Sequence, residues 1–333
     1  MLRTALVWSL ITGTPFRMFN IRAGRGKSGL KAQHVQVLKS LLPLGPVEFT
    51  GASVGSSVVT FTPARLKGNR FETDIGTAGS VTLLLQTLLP VVLLAEGASR
   101  IVIQGGTDVE WSPSFDYWSQ VALEPAAAFA QELKVHLERR GFYPRGGGRL
   151  LLEACGGRRA EPLEWTERGA LDRIRILSVA SSGLVERRVA ERQCEAAADR
   201  LRRYGVPVDA KSSYDNTLSP GSVVTCVAEF SGGRRVGGCA LGARQKRSED
   251  VGREAADRLR VEIDSGAPVD EHAADQLIVW MGMSGGAMRT SRVTEHTRTG
   301  IWVAEHFLGK AFEVEGDVIR STRPLPWGKG LNS

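Results

Sequence analysis

The sequence predicts an α/β fold in which a strand–loop–helix unit recurs, with a smaller α+β domain inserted in it. Three observations favour this fold. Glycine-rich or basic loops open helical segments near residues 30 and 81, and a similar His-Thr segment opens another near residue 299. The pattern changes to strongly charged amphipathic segments between residues 172 and 262. The length of 333 residues also exceeds the roughly 250–300 residues at which single cores stop growing.

The first half of the chain divides into short elements at glycine and proline boundaries. Apolar residues at three- and four-residue steps predict helices, whereas short apolar runs between turn residues predict strands. Residues 117–139 are expected to be mainly helical, which places His136 on a helix surface. The expected helices are 2–10, 30–42, 81–94 and 117–139, and the expected strands are 16–21, 47–49, 58–61, 71–75 and 100–104.

Residues 172–262 are expected to form the inserted α+β domain, leaving 1–171 and 263–333 as the large domain. The tail 321–333 is rich in proline and glycine, and we expect it to be extended or frayed. Within the insert, the pattern predicts strands at 173–179, 223–230 and 235–241 and amphipathic helices at 186–204 and 249–263.

Composition limits the class of protein. No apolar run approaches the roughly 20 residues of a membrane span, and we find no targeting signal, so a cytoplasmic protein without a membrane partner is expected. Lys and Arg outnumber Asp and Glu by 43 to 36, which fits either a polyanionic partner or an ordinary basic composition. The widely spaced cysteines favour reduced core thiols over a metal site; they are Cys155, Cys194, Cys226 and Cys239.

A basic glycine-rich loop, Ile21–Gly29, precedes the second expected helix, which carries His34. Glycine lets backbone N–H groups approach an anion, and the start of a helix adds a favourable dipole. Arg22 and Arg25 can grip phosphate oxygens with paired N–H donors. The spacing differs from that of a Walker loop. A phosphate site and a solvated basic turn both remain open.

Three further segments allow a functional and a purely structural interpretation. Asp74–Ser80 is a small-residue loop that suits an anion, and it leads into an apolar helix containing the polar Gln86; tight helix packing explains it equally. Gly141–Arg149 could support nucleic acid, with Phe142 or Tyr143 stacking on a base, or could be a hairpin turn. Asp270–Gln276 opens another helix, where carboxylates are ordinary caps.

His296 lies in the segment Thr294–Gly300, which leads into an apolar helix over 301–308. A neutral imidazole just before a helix can attack an α-phosphate whose oxygens are held by backbone N–H groups and Arg298. By local sequence alone, a capping or structural histidine is the commoner case. Other evidence must therefore decide between the two.

Taken in order, these segments resemble the RNA 3′-terminal phosphate cyclase family over essentially the whole chain. The resemblance implies a large domain of repeated units, each a small β-sheet backed by two helices, with a smaller inserted domain. The motifs that carry it are Leu2–Leu6, Ile21–Arg25, Gln33-His34, Gly76–Ser80, Gln86–Pro90, Gly105–Asp108, Gly141–Pro144 with its glycine triplet, Ala274–Gln276 and Glu295-His296.

The family's reaction implies an enzyme that uses ATP to convert the 3′-terminal phosphate of RNA into a 2′,3′-cyclic phosphodiester. His296 matches the histidine that carries AMP. A divalent metal, Mg²⁺ or Mn²⁺, would bridge the triphosphate, although no metal ligand is assigned. The matched ATP-contacting residues are Gln86, His272, Ala273, Ala274, Asp275 and Gln276, and the matched phosphate- or RNA-binding residues are Arg3, Arg22, Arg25 and His34.

One departure from the family concerns the first residues. Family members carry a strand and a Glu-Gly-Gly-Gly-Gln segment before the Leu-Arg pair, whereas here the sequence starts at Met1-Leu2-Arg3. We expect a missed upstream start, with a truncated gene or a loss of full activity as the alternatives. The alternatives to an active cyclase are a non-catalytic paralogue that acts in ribosomal RNA processing and, more distantly, an enolpyruvyl transferase. Retention of His296 with Gln86 and Asp275 favours the cyclase.

Overall fold

The computed structural model of the chain describes residues 1–158 and 160–325. No helix in these ranges is long and apolar enough to cross a membrane. The helices are α1 (Leu2–Thr12), α2 (Ala32–Lys39), α3 (Val81–Leu94), α4 (Phe115–Tyr117), α5 (Glu124–Ala127), α6 (Val189–Leu201), α7 (Ser248–Asp264), α8 (Glu271–Ser284) and α9 (Glu295–Leu308), with a π-helical turn at Trp118–Ala122 and 3₁₀ turns at Leu42–Leu44, Ser182–Leu184 and Arg202–Tyr204.

The strands form small sheets, and the mixed α/β class predicted from the sequence is confirmed. In order across each sheet they pair as β1-β3-β2, β4-β5-β7-β6, β10-β9-β11-β12 and β14-β15-β13-β8. The strands are β1 (Phe16–Met18), β2 (Glu48–Thr50), β3 (Val59–Thr62), β4 (Arg70–Asp74), β5 (Ala98–Gly105), β6 (Glu132–Arg139), β7 (Gly148–Cys155), β8 (Leu163–Trp165), β9 (Leu171–Ser181), β10 (Val208–Asp215), β11 (Ser222–Phe230), β12 (Arg235–Leu241), β13 (Gly286–Arg289), β14 (Phe312–Glu315) and β15 (Val318–Ser321).

The same topology occurs in two of these sheets. In one, the edge strand β4 pairs in parallel with β5, and β7 and β6 complete the sheet in antiparallel pairing. In the other, β8 pairs in parallel with β13, and β15 and β14 follow in the same way. In both, helices lie between the strands in the order β-α-β-α-β-β, with α3 in the first unit and α8 and α9 in the second. The repeated unit expected from the loops is therefore seen as the same order and pairing of strands in two sheets.

Helix α1 lies at the centre of the large core, packed against α3 and α9. From Ala5 to Ile11 all its residues are buried, which suits a sequence that is apolar on every side. Only Arg3 and Thr4, after the buried Leu2, are partly exposed near its beginning. The most polar turn of α1 therefore faces a surface where α3, α8 and α9 also meet.

The sheet β10-β9-β11-β12 has a core of its own, distinct from the large one. Helices α6 and α7 cover it, and its buried side chains come from residues 174–263. Chain order places it between β8 and α8, inside the second repeated unit. We therefore propose that residues 172–262 are the inserted domain and that 1–171 and 263–333 are the large domain.

A buried ion network joins this sheet to the rest of the chain. Arg140, 6% exposed, donates to Asp108 (3.0 Å) and to both carboxylate oxygens of Asp116 (2.8 and 2.7 Å). Its Nε lies 3.2 Å from a carboxylate oxygen of Asp215 on β10. Thr107 also donates to Asp108 (2.7 Å), so the Gly105–Asp108 motif serves to anchor loops.

The expectation that residues 117–139 are mainly helical is wrong in its second half. The helical turns end at Ala127, and β6 follows, pairing along its length with β7. Alternation of half-buried Leu133, Val135 and Leu137 with exposed residues is the two-residue period of a strand. His136 is accordingly exposed on a strand and not on a helix. Of the tail expected to be extended or frayed, residues 326–333 lie outside the described part of the chain.

Candidate active site

A pocket opens where the beginnings of α1, α8 and α9 meet the middle of α3 and the π-helical turn. Residues chosen from the sequence for separate reasons converge there. The lining residues are Met1, Arg3, Thr4 and Val7; Leu85, Gln86, Leu89 and Pro90; Trp118 and Ala122; Asp275, Gln276, Val279 and Trp280; and His296, Thr299 and Gly300.

His296 is exposed in the first turn of α9, at the rim of this pocket. The expected helix start near residue 299 is wrong, because the Thr294 hydroxyl accepts the Thr297 amide (3.2 Å) and the helix begins at Glu295. The backbone amides of Glu295 and His296 therefore have no intrahelical acceptor. With the positive end of the helix dipole, they favour an anion beside the imidazole.

Asp275 is the carboxylate of the pocket lining. Burial raises the pKa of its carboxyl to about 6. The nearby side chains of His296, His272 and Arg3 act in the opposite direction, because positive charge stabilises the ionised form. The carboxylate is therefore mostly ionised at neutral pH, within electrostatic reach of the histidine.

Arg3 provides the positive charge on the α1 side of the pocket. Burial lowers the pKa of its guanidinium, and Asp275 acts against that shift. An arginine stays charged even so, because its ordinary pKa exceeds 12. Arg3 also lines a second, smaller cavity with Gln33, Gln36 and Ser80, so it lies between two cavities.

The segment His272–Gln276 is only partly directed at the pocket. Asp275 and Gln276 line it, whereas Ala273 and Ala274 are buried in the core and do not. His272 is exposed, with its Nε2 3.9 Å from a carboxylate oxygen of Glu271. Only part of this segment faces the pocket, because residues one or two apart on a helix point in different directions.

Asp270 fixes the start of α8 and hence the position of Asp275. It is fully buried, and its Oδ1 accepts hydrogen bonds from the Tyr117 hydroxyl (2.5 Å) and the Ala273 amide (2.8 Å). Its Oδ2 accepts the amide of Gly237 on β12 (3.0 Å). One carboxylate thus connects the pocket helix with two other parts of the fold.

Gln86 lines the pocket from the middle of the apolar helix α3. Its carboxamide is half-buried and has no hydrogen-bond partner within the described ranges. Pro90, one turn later, lacks an amide hydrogen, so the backbone carbonyl of Gln86 loses its usual helical donor. The carboxamide of Gln86 is therefore available to a ligand.

The basic loop lies beside the pocket, not in it. Arg22, Arg25 and His34 are absent from the described lining, but Arg3 and Arg22 both lower the pKa of His34. Arg22 is half-buried with a left-handed backbone (φ 58°), and its guanidinium donates to the carbonyl of Lys27 (3.4 Å). Arg25 is exposed. Arg3, Arg22 and His34 therefore lie near one another, and the two arginines make the surroundings of His34 positive.

In the Gly141–Arg149 segment, one aromatic side chain has a structural role and the other is available to stack on a base. Phe142 is buried against Val179 and Val223, and a Cβ on Gly221 would lie 2.2 Å from its ring, so it packs in the core. Tyr143 is 76% exposed and free to stack.

A family model described as RNA 3′-terminal phosphate cyclase matches residues 1–314. The chain belongs to this family. Among relatives that carry the name RNA 3′-terminal phosphate cyclase, the Pyrococcus furiosus protein is 40% identical over 95% of this chain and 92% of its own length. The Pyrococcus abyssi protein is 42% identical over the same shares. The Staphylothermus marinus protein is 42% identical over 92% of this chain and 88% of its own.

Several lining residues of this cyclase-family pocket could not be selected from the sequence. Trp118 and Trp280 have the spacing of ordinary core residues, and Trp280 does pack against Phe129 (5.1 Å between ring centroids). Thr299 and Gly300 lie one turn after His296 on α9. A correct helix start would have found them, because residues three and four apart share a face.

Metal binding in the pocket depends on few acidic groups. Within the described ranges, no group of three or more His, Cys, Asp or Glu side chains could hold a metal ion. Asp275 is the acidic side chain of the lining. Mg²⁺ is commonly bound by one or two carboxylates together with substrate phosphates, so Asp275 fits such a metal only if the nucleotide supplies the other oxygens.

Proposed function

We propose that this chain uses ATP to convert RNA 3′-terminal phosphates into 2′,3′-cyclic phosphodiesters, with His296 carrying AMP. The observation that carries the proposal is the convergence of Arg3, Gln86, Asp275 and His296 on one pocket. Membership of the cyclase family supplies the reaction class.

In the first step, a ring nitrogen of His296 attacks the α-phosphorus of ATP. A P–N bond forms, the bond from the α-phosphorus to the bridging oxygen breaks, pyrophosphate leaves, and the imidazole loses its proton. The free amides at the start of α9 and the Arg3 guanidinium lie where they can stabilise the charge on the phosphoryl oxygens. The pocket therefore offers positioning and electrostatic stabilisation, which carry most of phosphoryl-transfer catalysis.

In the second step, an oxygen of the RNA 3′-phosphate attacks the phosphorus of the bound AMP and releases His296. In the third, the vicinal 2′-hydroxyl attacks the 3′-phosphorus, AMP leaves, and the hydroxyl proton passes to solvent. Each step replaces one bond to phosphorus by another, so no oxidant or reductant is needed.

The other residues take supporting roles in this proposal. Gln86 and Gln276 would contact the nucleotide directly, whereas His272, Ala273 and Ala274 would hold the helix that presents Asp275. Arg22, Arg25 and His34 would bind the RNA terminus or its phosphates. A divalent cation, Mg²⁺ or Mn²⁺, would neutralise charge on the triphosphate, held by its oxygens and Asp275.

The test is conversion of a 5′-labelled RNA oligonucleotide with a 3′-phosphate, in the presence of ATP and Mg²⁺ or Mn²⁺. We expect a product whose terminal phosphate resists phosphatase. The matched control carries a 2′-deoxy terminal nucleotide, which can accept AMP but cannot cyclise, so the adenylated oligonucleotide should accumulate. Binding of the RNA without any ATP-dependent product would favour the non-catalytic paralogue.

A further inference from the structure

Trp111 is the most exposed large apolar side chain among the described residues, at 94%. Its backbone has a left-handed conformation (φ 66°), which costs free energy in a residue with a bulky side chain. A turn holds it there, because the Ser112 hydroxyl donates to the carbonyl of Val109 (2.9 Å). Asp108 closes the loop by accepting the Phe115 amide (3.1 Å). The fold therefore holds the indole in water, where burial does not offset the strained backbone.

Tyr143 is a second exposed aromatic side chain, at 76%, in the loop between β6 and β7. Its neighbour Phe142 is buried against β9 and β11, which anchors the loop on one side. On the other side, the Arg145 amide donates to the Ser219 hydroxyl (3.1 Å). The phenol ring is therefore presented to solvent by a loop that is fixed before and after it.

The loops that carry these two aromatic side chains are joined at their bases. The amides of Thr107 and Asp108 both donate to the carbonyl of Gly141 (2.9 and 3.3 Å). Strands β4, β5 and β6 run in the same direction, because β4 pairs in parallel with β5, and β5 and β6 both pair antiparallel with β7. The loops after them therefore lie at one edge of the sheet. Trp111, three residues after Asp108, and Tyr143, two residues after Gly141, share that edge.

The same edge of the sheet leads to the pocket. The loop Gly76–Ser80 follows β4 and accepts the Gly106 amide (2.8 Å), and a Cβ on Gly146 would lie 3.0 Å from it. Its last residue lines the smaller cavity with Arg3. Helix α3 then carries Gln86 to the pocket, six residues or about 9 Å further along. At about 3.4 Å per stacked nucleotide, that distance corresponds to about two to three nucleotides of RNA.

The charges at this edge indicate which kind of ligand it suits. Arg145 is exposed beside Tyr143, and its guanidinium has no ion-pair partner within residues 1–158 and 160–325. Glu110, beside Trp111, is exposed and has the opposite charge. Single-stranded nucleic acid suits this combination, because its bases stack on aromatic rings whatever their sequence while an arginine contacts the backbone. Double-stranded RNA does not, since its bases are stacked on one another and its grooves are read by shape.

We propose that Trp111 and Tyr143 form a stacking platform for single-stranded RNA, with Arg145 beside the phosphate backbone. The contacted bases lie two or more positions to the 5′ side of the reacting end, because the platform lies beyond the start of α3. The platform holds RNA of any sequence and sets a minimum length for tight binding. It rests on the proposed function, since the RNA 3′ end is taken to lie in the pocket.

The test measures binding of two RNAs with a 3′-phosphate, without ATP: a dinucleotide, and an oligonucleotide about ten nucleotides long, a usual size for a single-stranded site. The wild type should bind the longer RNA more tightly. Trp111→Ala and Tyr143→Ala should each weaken that binding about 5- to 100-fold, the range for one base–aromatic contact, and leave the dinucleotide unaffected. Trp111→Phe and Tyr143→Phe keep an aromatic face and should retain most of the affinity.

Two more variants control for effects on folding and for the loss of any exposed tryptophan. Trp111→Asn suits the left-handed backbone and should lose as much affinity as Trp111→Ala. Trp302 is 52% exposed on α9 and lies outside the described linings of both cavities, so Trp302→Ala should bind like the wild type. Wild-type affinity of Trp111→Asn and Tyr143→Ala for the longer RNA would overturn the platform, as would an equal loss in Trp302→Ala.

Removing single bases from the longer RNA locates the contacts. An abasic nucleotide over the platform should weaken binding by the wild type but have little further effect in Trp111→Ala or Tyr143→Ala, because the same contact is already lost. Additive losses at every position would refute direct stacking. Labelling of the protein by ATP needs no RNA, so the platform variants should label normally. Absent labelling with intact platform binding would refute only the proposed function, and normal labelling with unchanged RNA binding in the variants would refute only the platform.

Discussion

Replacing Arg140 by methionine should strongly destabilise the fold, because it leaves buried carboxylates without their counter-ion. Arg140 binds Asp108 and Asp116 in the interior and also approaches Asp215 across the two cores. Methionine preserves much of the aliphatic volume and removes only the charge and the N–H donors. Removing one partner from a buried ion pair costs about 3–5 kcal/mol of unfolding free energy.

The assay is urea unfolding of the two variants Arg140→Met and Arg100→Met. Arg100 makes a 2.8 Å pair with Glu153 at the surface, where the same substitution should cost about 1 kcal/mol or less. The difference between the variants therefore isolates burial from the loss of an arginine as such. Equal losses in both would refute the view that Arg140 is the counter-ion on which the buried carboxylates depend.

The loss of stability in Arg140→Met should also depend on pH, in a direction that follows from the pKa of Asp116. Burial raises the pKa of Asp116, and Arg140 opposes that shift. Without Arg140 the pKa should rise further, so the folded state prefers the protonated carboxyl. Stability of that kind is present at low pH and is lost as pH rises through the folded pKa. The deficit of Arg140→Met relative to the wild type should therefore be smaller at pH 5 than at pH 8.

Two further predictions concern the pocket helices. Asp275→Asn should lower AMP transfer yet raise the unfolding free energy at pH 8 by about 1–3 kcal/mol, because burial raises the pKa of this carboxyl to about 6. The gain in unfolding free energy should vanish near pH 4, where the carboxyl is protonated in the folded protein. An unchanged unfolding free energy at both pH values would contradict this prediction. Gly300→Ala should stabilise α9 by about 0.5–1 kcal/mol, since the new Cβ meets nothing closer than 3.7 Å. Gly282→Ala would place a Cβ 2.4 Å from Trp8 and should lower the melting temperature. A lower melting temperature for Gly300→Ala than for Gly282→Ala would refute the packing described around these two glycines.

Local chemistry made some elements predictable. Helix α3 begins and ends where expected, because an apolar run follows Ser80, whose hydroxyl accepts the Leu83 amide (3.2 Å). The paired strands β11 and β12 are also as expected. Strand β6 is hard to predict from sequence, because helical residues precede it and no glycine or proline marks the change to a two-residue period.

The site could be predicted only in part. Family motifs selected Arg3, Gln86, Asp275 and His296, and the structure brings them to one pocket. Their convergence depends on long-range packing of α1, α3, α8 and α9, which no local pattern encodes. The hydrogen bond from the Lys31 amide to Nδ1 of His34 (2.9 Å) was also hidden, because histidine is not the residue that usually accepts such a bond at the start of a helix.

The central claim is that His296 carries AMP, and transfer of label from [α-³²P]ATP to the protein tests it most directly. The wild type should retain acid-labile label after denaturation, and His296→Ala should retain none. His306→Ala is the matched control, since His306 is also exposed on α9 but lies outside the described lining of the pocket, and it should label normally. Wild-type labelling of His296→Ala, or loss of label in His306→Ala alone, would contradict the account.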